Sequence, residues 1–126
     1  MATPRKTQPL RRMKKGKPPR SLMRQQMIDE KRRISMHIGN FLVLLEEGTA
    51  EQAALAKQKA RSEIHKVGPE LEKIAAEYGD KYVDLVADFI DAAEGIIYSA
   101  SEWIDQAIIT RYFSSEQKLE KAIVKD

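Results

Sequence analysis

The sequence contains no cysteine, which excludes a disulfide framework and any zinc site built on thiolates, so cohesion has to come from packing and charge. Long apolar runs are missing too. The longest, Phe41 to Leu45, is far short of the roughly 20 residues that span a bilayer, and the N-terminus lacks the apolar core of a signal peptide. A soluble, unprocessed chain without a transmembrane segment is the expectation. No Gly-rich phosphate loop, P-loop or nucleophile elbow occurs. His37 and His65 stand alone, with no His-Glu spacing suited to a metal. These absences argue against an enzyme, a cofactor, a bound metal and a small-molecule substrate.

What is present is charge of unequal distribution. Residues 1–33 hold 12 Lys or Arg against Asp29 and Glu30, a net +10, whereas residues 34–126 hold 10 against 17, a net −7. A basic arm is joined to an acidic body. Like charges at this density do not collapse into a core and call for a polyanion, the alternative being a disordered solubility tail or a localisation signal. The arm, residues 1–20, also carries Pro4, Pro9, Pro18 and Pro19 and little that is apolar beyond Leu10 and Met13. Proline fixes φ and biases its predecessor to extended geometry, so an extended arm able to follow a groove is expected.

The body, residues 21–126, reads as all-α, an antiparallel helical bundle with no convincing strand. Its 126-residue chain suffices for one domain. Ser21 has the character of an N-cap, and Met23, Met27, Ile34, Ile38, Phe41 and Leu45 recur at helical spacing, predicting a helix over about 22–47. Gly48 stops it, and Thr49 with Gln52 has the spacing of a capping box for a helix over 50–67. Gly68-Pro69 predicts a stop and a new short helix over 69–78. Gly79 and Asp80 repeat the stop-and-cap signal. From 81 to 113, Tyr82, Val86, Phe89, Ala93, Ile97, Ala100, Ile104 and Ala107 form one stripe, with Asp84, Asp88, Asp91, Glu102 and Asp105 opposite, a long amphipathic helix with Gly95 at a close contact or mild bend. Ser114 with Gln117 then predicts a last helix over 115–125.

A 33-residue helix would be about 50 Å long, against a radius of gyration near 13 Å for a domain of about 100 residues. Such a helix calls for another subunit to cover its stripe, with a bent helix in a monomeric bundle as the alternative. Trp103, Tyr98 and Tyr112 read as core or inter-subunit contacts. The evenly spread carboxylates read as a solvated or salt-bridging face, not a metal array.

The basic residues Arg5, Lys6, Arg11, Arg12, Lys14, Lys15, Lys17, Arg20, Arg24, Lys31, Arg32 and Arg33 are the candidate nucleic-acid contacts. On the first helix Arg24 and Lys31 project about 40° to 60° from the apolar stripe, so their stems can pack while their heads reach outward. Phosphates would bridge these charges and release counterions, an affinity independent of sequence. The arm has no aromatic for base stacking, and no helix-turn-helix, zinc-finger or RNA-recognition signature is visible.

The layout, a proline-broken basic segment from Pro4 to Ser21 followed by helices from about 22 to 125, resembles that of the major coat proteins of filamentous archaeal viruses. These are the rudivirus, lipothrixvirus and tristromavirus coat proteins, with those of Pyrobaculum tristromaviruses nearest in size and charge. The resemblance spans the whole chain and rests on organisation, without a diagnostic motif. It implies a virion nucleocapsid protein whose homo-oligomer, or heterodimer with a paralogous coat protein, wraps double-stranded DNA in the A form and stacks into a helical filament. It further implies that the arm and first helix line the DNA and that the long acidic helix faces neighbours or the exterior. Two other classes remain: a cytoplasmic nucleoid-architectural protein, and a regulatory scaffold whose arm binds an acidic partner.

Overall fold

The computed structural model describes residues 19–99 and 104–125. Among these residues the chain forms four helices and no strand: α1 (Arg20–Glu47), α2 (Ala50–Tyr78), α3 (Asp80–Ile97) and α4 (Gln106–Lys125). The cross-helix contacts fix the topology. Arg20 reaches Tyr78 and Arg33 reaches Glu63, so α1 and α2 run antiparallel. Lys57 reaches Ser99 while Tyr78 stacks edge-on against Tyr82 at 5.0 Å, which reverses the chain again into α3. The Tyr82 hydroxyl donates to the Ala122 carbonyl at 3.2 Å and Arg111 pairs with Asp91, placing α4 antiparallel to α3. Arg24 meets Ile123, which closes α4 against α1. The protein is an antiparallel four-helix arrangement around one core.

The core follows the stripes. Met23, Met27, Ile34, Ile38 and Phe41 of α1 are buried against Ala53, Ala56, Ala60, Ile64 and Leu71 of α2. The small residues let the two longest helices approach closely. The turn between them is built as the sequence predicts: the Gln52 amide N–H donates to the Thr49 hydroxyl at 3.1 Å, and the Thr49 N–H donates to the Gln52 side-chain oxygen at 3.0 Å. The Gly48 and Gly79 N–H groups donate to Leu44 and Ala75 carbonyls, ending α1 and α2.

Four sequence expectations need correction. Pro19, not Ser21, precedes the first helical residue, its carbonyl accepting from the Leu22 and Met23 N–H groups. Gly68-Pro69 does not end a helix, since α2 runs through Pro69. Gly68 has no Cβ to clash with the following ring, and burial of Leu71, Ile74 and Tyr78 continues the stripe. A proline inside a helix costs about 3 kcal/mol. Burying each aliphatic side chain contributes about 1.5–3 kcal/mol, so together with Tyr78 the continuation wins.

The third correction is the largest: no single helix spans 81–113. The third helix ends at Ile97, where Tyr98 turns and its N–H donates to the Glu94 carbonyl. Ser99 Oγ donates to the Gly95 carbonyl at 2.9 Å, an alternative to continued helical bonding. A new start follows at Asp105, whose Oδ1 accepts from the Ala107 N–H at 2.9 Å and whose carbonyl accepts from Ile108 and Ile109. The chain therefore folds back on α3, with Ile104 of the stripe buried, Ala107 exposed and Ala100 outside the described residues. Tyr112 is buried with its ring 5.9 Å from that of Phe89, and a Cβ on Gly95 would stand 3.8 Å from Ile108, which is the close contact expected there. Burial within one chain answers the argument that helix length requires a second subunit. Fourth, Ser114 and Gln117 lie inside α4 and cap nothing, because the helix has already begun at Gln106.

Candidate nucleic-acid interface

Seven of the twelve candidate contacts, Arg5, Lys6, Arg11, Arg12, Lys14, Lys15 and Lys17, lie outside the described residues, as does Trp103. The other five sit on α1, and every one of them is engaged within the chain. Arg20 lies over the Tyr78 ring at 4.0 Å and donates to the Tyr78 carbonyl at 2.6 Å. Arg24 donates to the Ile123 and Val124 carbonyls, both at 2.9 Å. Antiparallel packing brings the C-termini of α2 and α4 to the end where α1 begins. Those ends carry unsatisfied carbonyls and partial negative charge, which two arginines satisfy.

Lys31 departs furthest from its expected role. The residue is 2% exposed, and its ammonium points inward between Glu116 and Glu120 of α4, the latter at 2.9 Å. The outward-reaching head expected for Lys31 is thus corrected: with α4 packed alongside, the nearest anion is internal. Arg32 shares Glu120 at 2.7 Å, and Arg33 pairs with Glu63 of α2 at 2.5 Å, both guanidiniums staying half open to solvent. The hydrogen bond from Arg32 holds the Glu120 carboxyl below its ordinary value against the opposing effect of burial, with Lys31 adding to it. Burial pushes the Glu30 carboxyl up, assisted by the like charge of Glu70 and opposed by Arg33. Burial likewise raises the Tyr112 phenol.

A second set of nitrogen-bearing side chains lies on α2: His65, which stands alone in the sequence, joined by Lys57 and Arg61, which sequence reasoning does not single out. Lys57, Arg61 and His65 recur every four residues and so share one face. Together with Gln58, Ser62, Ala54 and Ile97 they line a cavity of about 530 Å3. Lys57 Nζ donates to the Ser99 carbonyl at 2.9 Å, the Arg61 guanidinium lies 5.3 Å from the centre of the Tyr98 ring, and the Tyr98 hydroxyl is 3.3 Å from His65 Nε2. Of the two readings for these tyrosines, core or inter-subunit contact, Tyr112 is core, while Tyr98 is 51% exposed and not part of the core. The i, i+4, i+8 spacing was visible in the sequence. The tyrosine opposite it was not, because the break after Ile97 was not.

The acidic face of α3 is solvated as expected, with Asp84, Asp88 and Asp91 exposed and Asp91 paired to Arg111 at 2.9 Å. Among the described residues no group of three or more His, Asp or Glu is placed to hold a metal ion, and no helix is long and apolar enough to cross a membrane. Comparisons with protein-family models, characterised proteins and solved structures give no match to this chain.

Proposed function

We propose that the chain is a structural, non-catalytic DNA-packaging protein. Residues 1–18 neutralise the phosphates of double-stranded DNA without reading its sequence. The helical body is the unit that assembles around the duplex, as a homo-oligomer or with a paralogous chain, into a helical virion filament holding A-form DNA. The observation that supports this is the division of cations. Arg20, Arg24, Lys31, Arg32 and Arg33 find acceptors in their own body. The seven Lys and Arg of residues 1–18 have no carboxylate in their segment, the first acid being Asp29. A polyanion is the partner that neutralises them, and a duplex presents a charge every ~1.7 Å.

If all seven neutralise phosphates, the slope of log affinity against log salt approaches about −6 on B-form duplex. Removing residues 1–18 is expected to abolish most of that slope and leave thermal unfolding of the body unchanged. A slope near zero in the full chain, or strong preference for one sequence over scrambled duplexes, overturns the reading. Electron micrographs with circular dichroism in the nucleic-acid band test the assembly. Filaments containing A-like DNA support the viral coat. Discrete complexes on B-like DNA support the second reading, a cellular nucleoid-architectural protein, which the closure of the bundle within one chain favours.

A further inference from the structure

The geometry points to a phosphate-binding site on the body itself, in the cavity where Lys57, Arg61 and His65 of α2 face Tyr98, its ligand being the phosphodiester backbone of a nucleic acid. This rests on the proposed DNA binding and extends it from residues 1–18 to a folded surface. Among the described residues the cavity of about 530 Å3 has no carboxylate in its lining. The candidate basic residues on α1, by contrast, are all held by carboxylates or helix-end carbonyls. Among the described residues Lys57 and Arg61 have no carboxylate within ion-pairing distance. Tyr98 stands between this cavity and a neighbouring one that it lines with Asp91, Glu94 and Arg111, where Asp91 is already paired to Arg111.

The side chains are also arranged, not merely charged. Tyr98 supports Arg61 from its ring and His65 from its hydroxyl, and the Ser99 carbonyl fixes Lys57. Gln58 and Ser62 add neutral donors on the same helix face. From Lys57 to His65 the helix rises about 12 Å, the axial length of three to four phosphates of one strand at ~3.4 Å each. A line of donors of this length suits a phosphodiester chain better than one isolated anion. An arginine stacked on an open tyrosine leaves its N–H edge free for phosphate oxygens.

The test uses the full chain and a mixed-sequence duplex, with three variants: Lys57→Gln/Arg61→Gln, Arg61→Lys, and a chain with Arg11, Arg12, Lys14 and Lys15 all changed to Gln. The double variant is expected to flatten the salt slope by about 2, from ~0.9 per lost contact, while Arg61→Lys retains most of it. An unchanged slope in the double variant, with a flattened one in the arm variant, overturns this site and leaves the arm reading intact. The reverse pattern supports the site and overturns the arm. Magnetic resonance of the His65 ring during titration with inorganic phosphate separates the ligand sources. Perturbation by phosphate while duplex affinity ignores Lys57→Gln/Arg61→Gln means a free phosphate site, and overturns the assignment to a nucleic-acid backbone.

Discussion

Lys31, Arg32 and Arg33 on α1 and Lys57, Arg61 and His65 on α2 are both basic clusters, yet the fold treats them oppositely. The first cluster lies where α4 and α2 bring Glu116, Glu120 and Glu63 alongside, and it is consumed in ion pairs that close the bundle. The second lies where α3 has ended, opposite a tyrosine and a carbonyl, and among the described residues it meets no carboxylate. Charge in a sequence names the sign of a partner. Whether that partner is the chain itself depends on which helix packs alongside.

The comparison can be broken from the core outward. Phe89→Ala removes the ring on which Tyr112 seats α4, and large-to-small aromatic changes of this kind cost about 3–5 kcal/mol. Chemical denaturation should show that loss. In the native state of the variant, Glu116 and Glu120 should also be less firmly held by Lys31.

Lys31→Met attacks the first cluster directly. Losing one partner of a buried ion pair costs about 3–5 kcal/mol, but Glu116 and Glu120 keep some solvent and Glu120 keeps Arg32, so a loss of about 2 kcal/mol is expected. Converting Glu116 and Glu120 to Gln in the same chain should recover most of it. If Lys31→Met is neutral by urea unfolding, the ammonium is not the tie described.

A smaller effect is expected from the acid beside this cluster. Because burial raises the Glu30 carboxyl above its ordinary 4.5, its neutral form favours folding below that pH, and the benefit is lost as pH rises through the folded value. Glu30→Gln should therefore stabilise the protein near pH 7, with the gain vanishing as the pH drops below 4.5. Glu120 has the opposite sign. Its depressed carboxyl stabilises the fold above 4.5, and that support is lost as pH falls through its folded value, so Glu120→Gln should flatten the acid limb of stability against pH. The smallest change belongs to the second cluster: Arg61→Gln should leave stability within about 0.5 kcal/mol by thermal unfolding, as exposed sites away from such ties usually do.

Much of the scaffold was legible along the chain. The α1 stripe from Met23 to Phe41 is buried, the capping box at Thr49 and Gln52 forms with both its bonds, and Gly48 and Gly79 end helices. The region from Ile97 to Asp105 misled because its apolar residues keep helical spacing across the break, and spacing alone is silent about whether the helix continues or reverses. Ser99 and Asp105 were the available signals, a competitor for backbone bonds and an N-cap. One consequence concerns assembly: Ile97 and Ile104 are buried within the chain, so a charge placed at either tests folding and not subunit contact. The candidate site was legible only as an inventory of cations, since the carbonyls of Tyr78, Ile123 and Val124 that hold Arg20 and Arg24 have no signature in side-chain sequence.

By itself the sequence determined the all-helical class, the two tight turns and the separation of a carboxylate-free basic segment from an acidic body, because periodicity, caps and net charge are local or additive properties. The tertiary structure decided that Pro69 stays inside a helix, that the chain after Ile97 folds back on α3, that Lys31 points inward, and that Arg61 stays exposed beside Tyr98. Each of those outcomes depends on what a distant segment places within a few ångströms. Burial free energy and ion pairing are settled by that proximity, which neither spacing nor composition encodes.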